Sequence, residues 1–521
     1  MKVKRALVSV SDKTGLDEFV KGLDRLGIEI ISTGGTAAAI SSLGIKVIEA
    51  GLYTGFPEIL GGRVKTLHPK IHAALLALRD NPEHMRQLEE NEISSIDMVV
   101  VNLYPFEETV SQRGVTSEEA LENIDIGGPS MLRSAAKNFK SVAVVSSPCQ
   151  YARVLGELEA NACEVNVTVL KELAVEVFKK VCAYDSRIAE YLGKEAGGKS
   201  QEKDFPNELS INIRKIARLR YGENPHQRAA FYRDVSEKDA GIAGARQIQG
   251  KELSFNNIMD LSSALEVAKV FKKPSAVIIK HNNPCGAASA ETLKKAYVDA
   301  LDSDRISSFG SVMGFNRKID EDTAKLILKE TGFIECVIAP EYSDDALAIF
   351  KEKKNLRLLK SDSFKSGFPQ NMDFKKVSGG VLVQDPEEAD ISFDEIKTVT
   401  KRKPDEAQIV SLMFGWQIVK YVKSNAIVLS QGTKTVGIGA GQMSRVDAVI
   451  IAVHKSAKKA KGAVLASDAF FPKRDAVETA HKAGISAIIQ PGGSIRDDEI
   501  IDACNRFKIS MVFTGKRHFR H

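Results

Sequence analysis

The sequence predicts an α/β protein built from two successive regions, and three observations support this. Residues 6–49 alternate between short apolar runs and longer amphipathic stretches, the pattern of a βαβαβ unit with a parallel sheet. The apolar, β-branched run Ser275–Lys280 has the length and composition of a buried strand, and it ends in Lys280 and His281. Residues 193–208 are polar and contain glycine, without apolar periodicity, as is typical of a linker.

Composition limits the classes of function. The chain has 521 residues, enough for two to four domains, and a net charge of +5 with basic and acidic residues interspersed. We therefore expect no nucleic-acid partner. No apolar stretch near Met1 is long enough for a signal peptide or a membrane span, so we expect a cytoplasmic protein with no membrane partner. The six cysteines form no Cys-x-x-Cys pair, which fits a reducing compartment and disfavours a structural zinc site.

In the first region, strands are predicted at 6–10, 28–32 and 47–49, with helices at 16–26 and 36–43. Two strand-to-helix turns, 9–15 and 32–36, carry hydroxyl side chains and glycines. Such groups at helix N-termini can cradle a phosphate. The alternative is that both turns are ordinary helix caps.

The segment 55–72 is rich in glycine and proline and concentrates Arg63, Lys65, Thr66 and His68, so it is predicted to be a binding loop. His68 and His72 have a metal-ligand spacing, but Pro69 interrupts them and no third ligand is evident, so we expect no metal.

A buried strand is predicted at 98–102, followed by Tyr104. Asp125 and two glycines then open a helix that contains Lys137. Taken singly, lysines such as Lys65 and Lys137 are solvated more often than they belong to a site. Another strand is predicted at 142–145, with helices following to about residue 192.

The second region begins with a loop at 219–227 that carries many polar groups. In a regular strand, Lys280 and His281 point to opposite faces, so both serve one site only if the chain leaves the strand there. The turn predicted at 282–286 supplies this departure, with a helix after Ala287. The alternative is a strand-end histidine beside a surface lysine. No base accompanies Cys285, which favours a structural thiol.

Residues 351–404 are polar and are predicted to cover the surface or to join two subdomains. The pattern then restarts, with a helix at 406–421 and two strands joined at Gly432. The following Gly-x-Gly-x-Gly is a weak nucleotide signal, whereas Arg445 is the better candidate for anion binding. Two α/β units, about 209–350 and 405–521, suggest a duplicated subdomain, although no residue-level repeat is visible.

Taken together, these loops resemble the bifunctional purine-biosynthesis enzymes that are both AICAR transformylase and IMP cyclohydrolase. The motifs are Ser-Val-Ser-Asp-Lys-Thr-Gly (9–15), Gly-Gly-Arg-Val-Lys-Thr-Leu-His-Pro (61–69), Asn-Leu-Tyr-Pro-Phe (102–106), Asp-Ile-Gly-Gly (125–128), Leu-Arg-Tyr-Gly-Glu-Asn-Pro-His-Gln (219–227), Lys-His-Asn-Asn-Pro-Cys-Gly (280–286), Gly-Ala-Gly-Gln-Met-Ser-Arg (439–445) and Ser-Asp-Ala-Phe-Phe-Pro (467–472). The resemblance runs from Ser9 to His521.

By this resemblance, residues 1–193 are an IMP cyclohydrolase domain with a methylglyoxal-synthase-like parallel sheet, and 194–208 are the linker. The family pattern implies four residues around the reacting ring: Lys65, Tyr104, Asp125 and Lys137. It implies a substrate-binding set as well: Ser11, Lys13, Ser32, Thr36, Arg63, Thr66, Asn102 and Gly127.

Residues 209–521 resemble the transformylase domain, which consists of two cytidine-deaminase-like α/β subdomains. A zinc deaminase needs His-x-Glu and Pro-Cys-x-x-Cys, and neither motif is present, so the metal is expected to be missing. The resemblance implies catalysis by Lys280, His281 and Asn425. It implies substrate contacts by Arg220, Tyr221, Asn257, Phe309, Gly310, Glu335, Arg445, Phe470, Pro472, Arg517 and His521.

The implied co-substrate is 10-formyltetrahydrofolate, with AICAR, formyl-AICAR, IMP and reduced folate as the small-molecule partners and no metal required. A homodimer is implied, with transformylase sites at the subunit interface. Two alternatives stay open from the residues alone: a methylglyoxal-synthase-like lyase or nucleotide sensor joined to a folate-binding regulator, and an enzyme that retains one of the two activities.

Overall fold

The structure is a computed structural model that describes residues 1–112, 114–196, 205, 207–235, 241–364, 372–387 and 391–521. It divides into two compact units, Met1–Ser210 and Ile211–His521. Most of the predicted linker, residues 197–204 and 206, lies outside the described residues. None of the described helices is both long and apolar enough to cross a membrane.

The first unit is a five-stranded sheet with helices packed around it. Its elements are β1 (Arg5–Val10), α1 (Leu16–Arg25), β2 (Glu29–Ser32), α2 (Gly34–Ser42), β3 (Val47–Glu49), α3 (Ala50–Thr54), α4 (Pro69–Leu76), α5 (Pro82–Glu90), β4 (Met98–Asn102), α6 (Phe106–Val110), α7 (Ser117–Glu122), α8 (Gly127–Lys137), β5 (Ala143–Val145), α9 (Tyr151–Ala160) and α10 (Val167–Ala196). The predicted strands and the first helices are confirmed, and α10 continues through Ala196.

The strand order is β3-β2-β1-β4-β5, and every pair is parallel. All five strands therefore end at the same edge of the sheet. The interior strand β4 is buried along its whole length, as its run of Met and Val predicts. This parallel strand order brings together the segments that follow β1, β2 and β4, although they are far apart in sequence.

The second unit is organised around a twelve-stranded mixed sheet. Its elements are β6 (Ile213–Leu219), β7 (Ala229–Asp234), β8 (Arg246–Gln249), α11 (Phe255–Lys269), β9 (Ser275–Lys280), β10 (Asn283–Ser289), α12 (Leu293–Leu301), β11 (Ser311–Phe315), α13 (Glu321–Glu330), β12 (Ile334–Ala339), α14 (Asp344–Phe350), β13 (Arg357–Lys360), β14 (Asp373–Val377), β15 (Gly380–Gln384), β16 (Lys397–Thr398), α15 (Glu406–Val419), β17 (Ile427–Gln431), β18 (Lys434–Gly439), α16 (Arg445–Ser456), β19 (Val464–Ser467), α17 (Asp475–Lys482), β20 (Ala487–Gln490), α18 (Asp497–Phe507) and β21 (Ser510–Phe513).

An internal duplication accounts for this sheet. From α11 to β13, and again from α15 to β21, the chain runs helix, hairpin, helix, strand, helix, strand, helix, strand. The strand order is β16-β21-β20-β19-β17-β18-β10-β9-β11-β12-β13-β8, so the two repeats meet where β18 pairs antiparallel with β10. The predicted duplication is confirmed. The first repeat continues past Phe350, because β13 pairs with β12.

Alternating side chains of β9 show how the layers pack. Val277 and Ile279 belong to the core shared by α11 and α15, whereas Ala276 and Ile278 pack with α12 and α13 on the other face. β6 with β7 and β14 with β15 form separate two-stranded hairpins. The segment 351–404, predicted to cover the surface or to join two subdomains, contains β13 and β16, which are strands of the main sheet.

The turn after β9 differs from the prediction. Lys280 pairs directly with Asn283, so the turn consists of His281 and Asn282, which have φ angles of 51° and 61°. Residues 284–286 lie in β10, so the turn predicted at 282–286 is wrong. The helix predicted after Ala287 is α12, which begins at Leu293, after β10 has ended at Ser289. Positive φ at both central residues matches the twist of a two-residue hairpin, and Asn and His tolerate it better than most residues.

Candidate active sites

A cavity of about 650 Å³ lies at the carboxyl edge of the first unit's sheet. The loops after β1, β2 and β4, the segment 58–66 and the start of α8 line it. Ten of the predicted residues are among its lining: Ser11, Lys13, Thr36, Arg63, Lys65, Thr66, Asn102, Tyr104, Asp125 and Gly127. Most of the predicted cyclohydrolase site therefore forms one cavity.

Three of the predicted catalytic residues lie together in this cavity. Lys65 Nζ donates a hydrogen bond to the hydroxyl oxygen of Tyr104 at 3.3 Å. Asp125 Oδ1 accepts the Gly128 N–H at 2.8 Å. Burial raises the pKa of the Asp125 carboxyl, while the N–H groups of Gly128 and Tyr104 and the charge of Lys65 act in the opposite direction.

The glycines of the Asp-Ile-Gly-Gly motif make room for these groups. A Cβ atom on Gly128 would lie 2.3 Å from Asp125 Oδ2, and one on Gly127 would lie 2.6 Å from Thr66 Oγ1. Because both glycines are in the first turn of α8, the Asp125 and Thr66 side chains can approach the free N–H groups of that helix. A side chain at either position would displace them.

The loop after β1 is held by Asn102. Its Oδ1 accepts the N–H groups of Ser11 and Asp12 at 2.6 and 2.9 Å, and its Nδ2 donates to the Asp12 carbonyl at 2.7 Å. The side-chain amide of Asn102 therefore shapes the loop that carries Ser11 and Lys13.

In the second unit, Lys280 is anchored beside the β9–β10 turn. Its Nζ donates to the carbonyl oxygens of Phe309 and Gly310 at 2.7 and 3.0 Å. His281 is exposed in the turn. The left-handed turn thus brings Lys280 and His281 out at the same end of the strand.

A second group of residues lies at the start of β17. Asn425 Oδ1 accepts from Arg445 Nη2 at 2.6 Å, and Asn425 Nδ2 donates to the Gln442 carbonyl at 2.8 Å. Arg445 is almost fully buried and forms an ion pair with Asp468, which is also buried. Asn425 is therefore held in one orientation by its neighbours.

The two groups lie at one edge of the twelve-stranded sheet. The carboxyl ends of β9 and β18 and the amino ends of β10 and β17 meet there, because each neighbouring pair is antiparallel. Asn283 Oδ1 accepts the Lys423 N–H at 3.0 Å, which connects the two repeats. Sheet topology thus brings Lys280, His281 and Asn425 to the same edge from positions about 145 residues apart.

Two family models match the chain. One describes an MGS-like domain and matches residues 15–130, and the other describes the AICARFT/IMPCHase bienzyme and matches residues 135–455. The bifunctional purine biosynthesis protein PurH of Acetivibrio thermocellus is 51% identical over 520 residues, with 100% of each chain covered. The proteins of the same description from Ruminiclostridium cellulolyticum and Magnetococcus marinus are each 50% identical, again with 100% of each chain covered.

The chain belongs to the AICARFT/IMPCHase bienzyme family. It is a bifunctional enzyme of purine biosynthesis that carries out the last two steps of IMP synthesis, formyl transfer to AICAR and ring closure of formyl-AICAR, and the predictions of fold class and function are confirmed. Membership implies a folate co-substrate. Among solved structures, a chain described as "Crystal structure of ForH" is 37% identical, with 38% of this chain and 99% of that chain covered and a TM-score of 0.35.

Two residues that the family pattern implies for the cyclohydrolase do not line the cavity. Ser32 is fully buried, and its hydroxyl donates to the Val8 carbonyl at 2.6 Å. Lys137 is exposed at the last position of α8, about 15 Å along the helix axis from Gly127 at the first. The roles of both residues stay predictions.

The remaining residues implied for the bienzyme's transformylase lie in several places. Arg220 and Tyr221 are in the β6–β7 loop, where Arg220 Nη2 donates to the Tyr221 hydroxyl at 3.0 Å. The Asn257 side chain is buried and caps α11 by accepting the Ser254 N–H at 3.1 Å. Glu335 pairs with Arg357 at 2.7 Å.

The other transformylase candidates lie where strands end or begin at the described edge. Phe309 and Gly310 precede β11, and Phe470 and Pro472 follow β19. Arg517 and His521 follow β21, with the Arg517 guanidinium 4.3 Å from the Phe519 ring centroid.

The structure also identifies groups that the sequence did not single out. Ser9 and Thr33 hydroxyls lie 3.1 Å apart, and Glu58 and Glu122 line the cavity, with Glu122 paired to Arg63. The position of Glu122, far from Arg63 in sequence, offered no signal.

Cys285 is buried, and burial raises the pKa of its thiol to about 12, which favours the structural interpretation. His68 accepts the Lys70 N–H, and His72 Nδ1 lies 3.0 Å from Ser134 Oγ. Within the described ranges, no group of three or more His, Cys, Asp and Glu residues is placed to hold a metal ion.

Proposed function

We propose that the cavity of the first unit is the cyclohydrolase site. We propose that the transformylase site lies at the edge of the twelve-stranded sheet that carries Lys280, His281 and Asn425. The observation that supports this most directly is the convergence of Lys65, Tyr104 and Asp125 in one cavity, separate from Lys280, His281 and Asn425. On this assignment the domain bounds follow the sequence prediction: a cyclohydrolase domain at 1–193, a linker at 194–208 and a transformylase domain at 209–521.

In the ring closure, the carboxamide nitrogen of formyl-AICAR attacks the formyl carbon of the same molecule, and water leaves. An intramolecular attack depends on positioning more than on a strong base. Lys65 and Tyr104 supply donors for the negative charge that develops on the formyl oxygen. Because burial raises the pKa of Asp125, its carboxyl is suited to donate the proton that the departing water needs.

Other residues of the cavity lining suit the nucleotide phosphate and ribose. Ser11, Lys13 and Thr36 bring hydroxyls and a cation to the ends of β1 and β2, where free N–H groups at helix N-termini add to anion binding, and Thr66 adds a hydroxyl beside the start of α8. Asn102 contributes by shaping the Ser11 loop.

In the formyl transfer, the 5-amino nitrogen of AICAR attacks the formyl carbon of 10-formyltetrahydrofolate. The new C–N bond forms, the bond from the formyl carbon to N10 breaks, and one proton passes from the amine to N10. His281 accepts the amine proton, since histidine titrates near neutral pH. Lys280 stabilises the charge on the formyl oxygen, and Asn425 orients the formyl group.

The folate co-substrate is thus 10-formyltetrahydrofolate, and no step above requires a metal ion. AICAR, formyl-AICAR, IMP and reduced folate are the small-molecule partners. The proposed substrate contacts of the transformylase site are the remaining residues that the family pattern implies: Arg220, Tyr221, Asn257, Phe309, Gly310, Glu335, Arg445, Phe470, Pro472, Arg517 and His521. We infer a cytoplasmic location, because all six cysteines are free thiols, which fits a reducing compartment.

We infer a homodimer as well. The β6–β7 and β14–β15 hairpins each stand apart from the main sheet, and two-stranded hairpins are marginally stable alone. Both expose large apolar side chains, among them Ile213, Tyr232, Val381 and Leu382. A second copy of the chain would cover these side chains, and Arg220 and Tyr221 lie directly after β6.

The test is to incubate the purified protein with AICAR and 10-formyltetrahydrofolate, without added metal, and to identify the purine by chromatography and absorbance. IMP is the expected product. Accumulation of formyl-AICAR would overturn the cyclohydrolase assignment, and unchanged AICAR would overturn both assignments. Sedimentation of the active protein as a monomer would overturn the dimer.

A further inference from the structure

Helix α11 holds the turn that carries His281. Asp260 Oδ1 accepts the N–H of Asn282 at 2.6 Å, and Ser263 Oγ is hydrogen-bonded to Asn282 Oδ1. Asp260 and Ser263 are one helical turn apart, so both side chains can hydrogen-bond to Asn282, the residue that follows His281. The turn is therefore fixed from the α11 side.

Burying a carboxylate at this position costs more desolvation free energy than burying a neutral acceptor would. Burial raises the pKa of Asp260, and the Asn282 N–H and the charges of His281 and Lys280 act in the opposite direction. A neutral hydroxyl or amide oxygen accepts the same N–H with a smaller desolvation penalty. The hydrogen bond to the Asn282 N–H alone therefore does not explain why residue 260 is a carboxylate.

The second repeat provides an internal comparison. Helices α11 and α15 both start with a capping box, which ends at Asn257 in the first and at Gln408 in the second. Asp260 lies three residues after Asn257, and Ser411 lies three residues after Gln408. Ser411 Oγ accepts the N–H of Gly432, in the β17–β18 turn, at 2.8 Å. A neutral hydroxyl thus holds the matching turn.

The two turns differ in their charged groups. Lys280 and His281 occupy the first, whereas Gln431 and Gly432 occupy the second. Gln431 Nε2 donates to the carbonyls of Lys459 and Lys461, as Lys280 Nζ does to those of Phe309 and Gly310. Lys434, which closes the second turn, forms its ion pair with Asp299 of α12 at 3.1 Å and not with a group on α15. At the position of Asp260 and Ser411, the carboxylate is thus found in the repeat whose turn carries His281.

We propose that Asp260 is a positioning residue of the formyl-transfer site. It fixes the His281 turn through the Asn282 N–H, and its negative charge stabilises the imidazolium that forms when His281 takes the proton of the AICAR amine. This inference rests on the proposed function, since it assumes that His281 is the proton acceptor.

The decisive variant is Asp260→Ser, which installs the group found in the second repeat. The hydroxyl keeps a hydrogen-bond acceptor on α11 and removes the charge. We expect kcat of formyl transfer to fall at least about tenfold, but by less than the roughly 10²–10⁴-fold that a general acid or base itself contributes, since Asp260 acts through His281. KM for AICAR, the melting temperature and the cyclisation rate of supplied formyl-AICAR should stay at their wild-type values. Asp260→Asn should behave in the same way.

Ser411→Ala is the matched control, because it removes the equivalent acceptor from a turn without catalytic residues. It should lower the melting temperature and leave kcat unchanged. Formyl transfer by Asp260→Ser and Asp260→Asn within about twofold of wild type would overturn the inference, as would a loss of kcat that tracks a loss of melting temperature. Wild-type protein that transfers no formyl group would instead overturn the proposed function.

Discussion

Arg445 and Asp468 form an ion pair whose side chains are 4% and 0% exposed. Arg445 also donates to the Asn425 side chain and to the Ala426 carbonyl, and Asp468 accepts the Ala426 N–H at 3.0 Å. The pair therefore connects the start of β17 with the start of α16 and the end of β19. Since Arg445 is hydrogen-bonded to Asn425, the pair supports the proposed transformylase site.

Removing one partner of this pair leaves the other charged and buried. Asp468→Asn should therefore reduce the free energy of unfolding by about 3–5 kcal/mol, measured by urea denaturation. Glu291→Gln breaks the exposed pair with Lys273 and serves as the control, which should leave the melting temperature unchanged. A stability loss for Asp468→Asn equal to that of the control would contradict the prediction.

On the proposed assignment, replacing Lys280 and His281 together by Ala should abolish formyl transfer, because both the charge that would stabilise the formyl oxygen and the proton acceptor are lost. Cyclisation of supplied formyl-AICAR should continue at the wild-type rate, since the first unit is untouched. The measurement is product formation from each substrate separately. Loss of both activities in a folded variant would argue against two independent sites.

Lys65→Ala should slow cyclisation by roughly 10²–10³-fold, since it removes one donor to the developing oxyanion. Formyl transfer should be unaffected, so formyl-AICAR should accumulate and be detected by chromatography. Lys137→Ala makes an informative comparison, because Lys137 is exposed at the far end of α8. Equal loss from both variants would show that the cavity lining alone does not define the site.

Asp125→Asn should separate activity from stability. Since burial raises the pKa of Asp125, the folded chain binds this proton more tightly than the unfolded chain does. Ionisation of Asp125 therefore destabilises the fold, an effect absent below the unfolded pKa of about 3.9 and complete above the folded pKa. The variant should melt at a higher temperature than wild type at pH 7.5, and the difference should shrink as the pH is lowered towards 4.

The same substitution removes a proton donor, so cyclisation should fall by roughly 10²-fold. In the wild-type enzyme, cyclisation should decline as the pH rises through the folded pKa of Asp125. A pH-independent rate that is unchanged in Asp125→Asn would exclude a proton-donating role.

The sequence by itself determined the fold class, the strands of the first sheet, the duplication of the second region and the family. Local patterning is sufficient for the strands, because an apolar run such as 98–102 predicts a buried strand. The family could be predicted because several long motifs occurring in the same order are unlikely to match by chance. The sequence also predicted that Lys280 and His281 can serve one site only if the chain leaves the strand after Lys280.

Only the tertiary structure decided which side chains are hydrogen-bonded within the protein. The Asn102 and Asn257 side-chain oxygens accept backbone N–H groups, and the Ser32 hydroxyl donates to the Val8 carbonyl inside the sheet. The turn at His281 and the link to Asp260 likewise depend on how α11 packs against β9. Hydrogen-bond partners distant in sequence are chosen by strand register and helix packing, which no local pattern records.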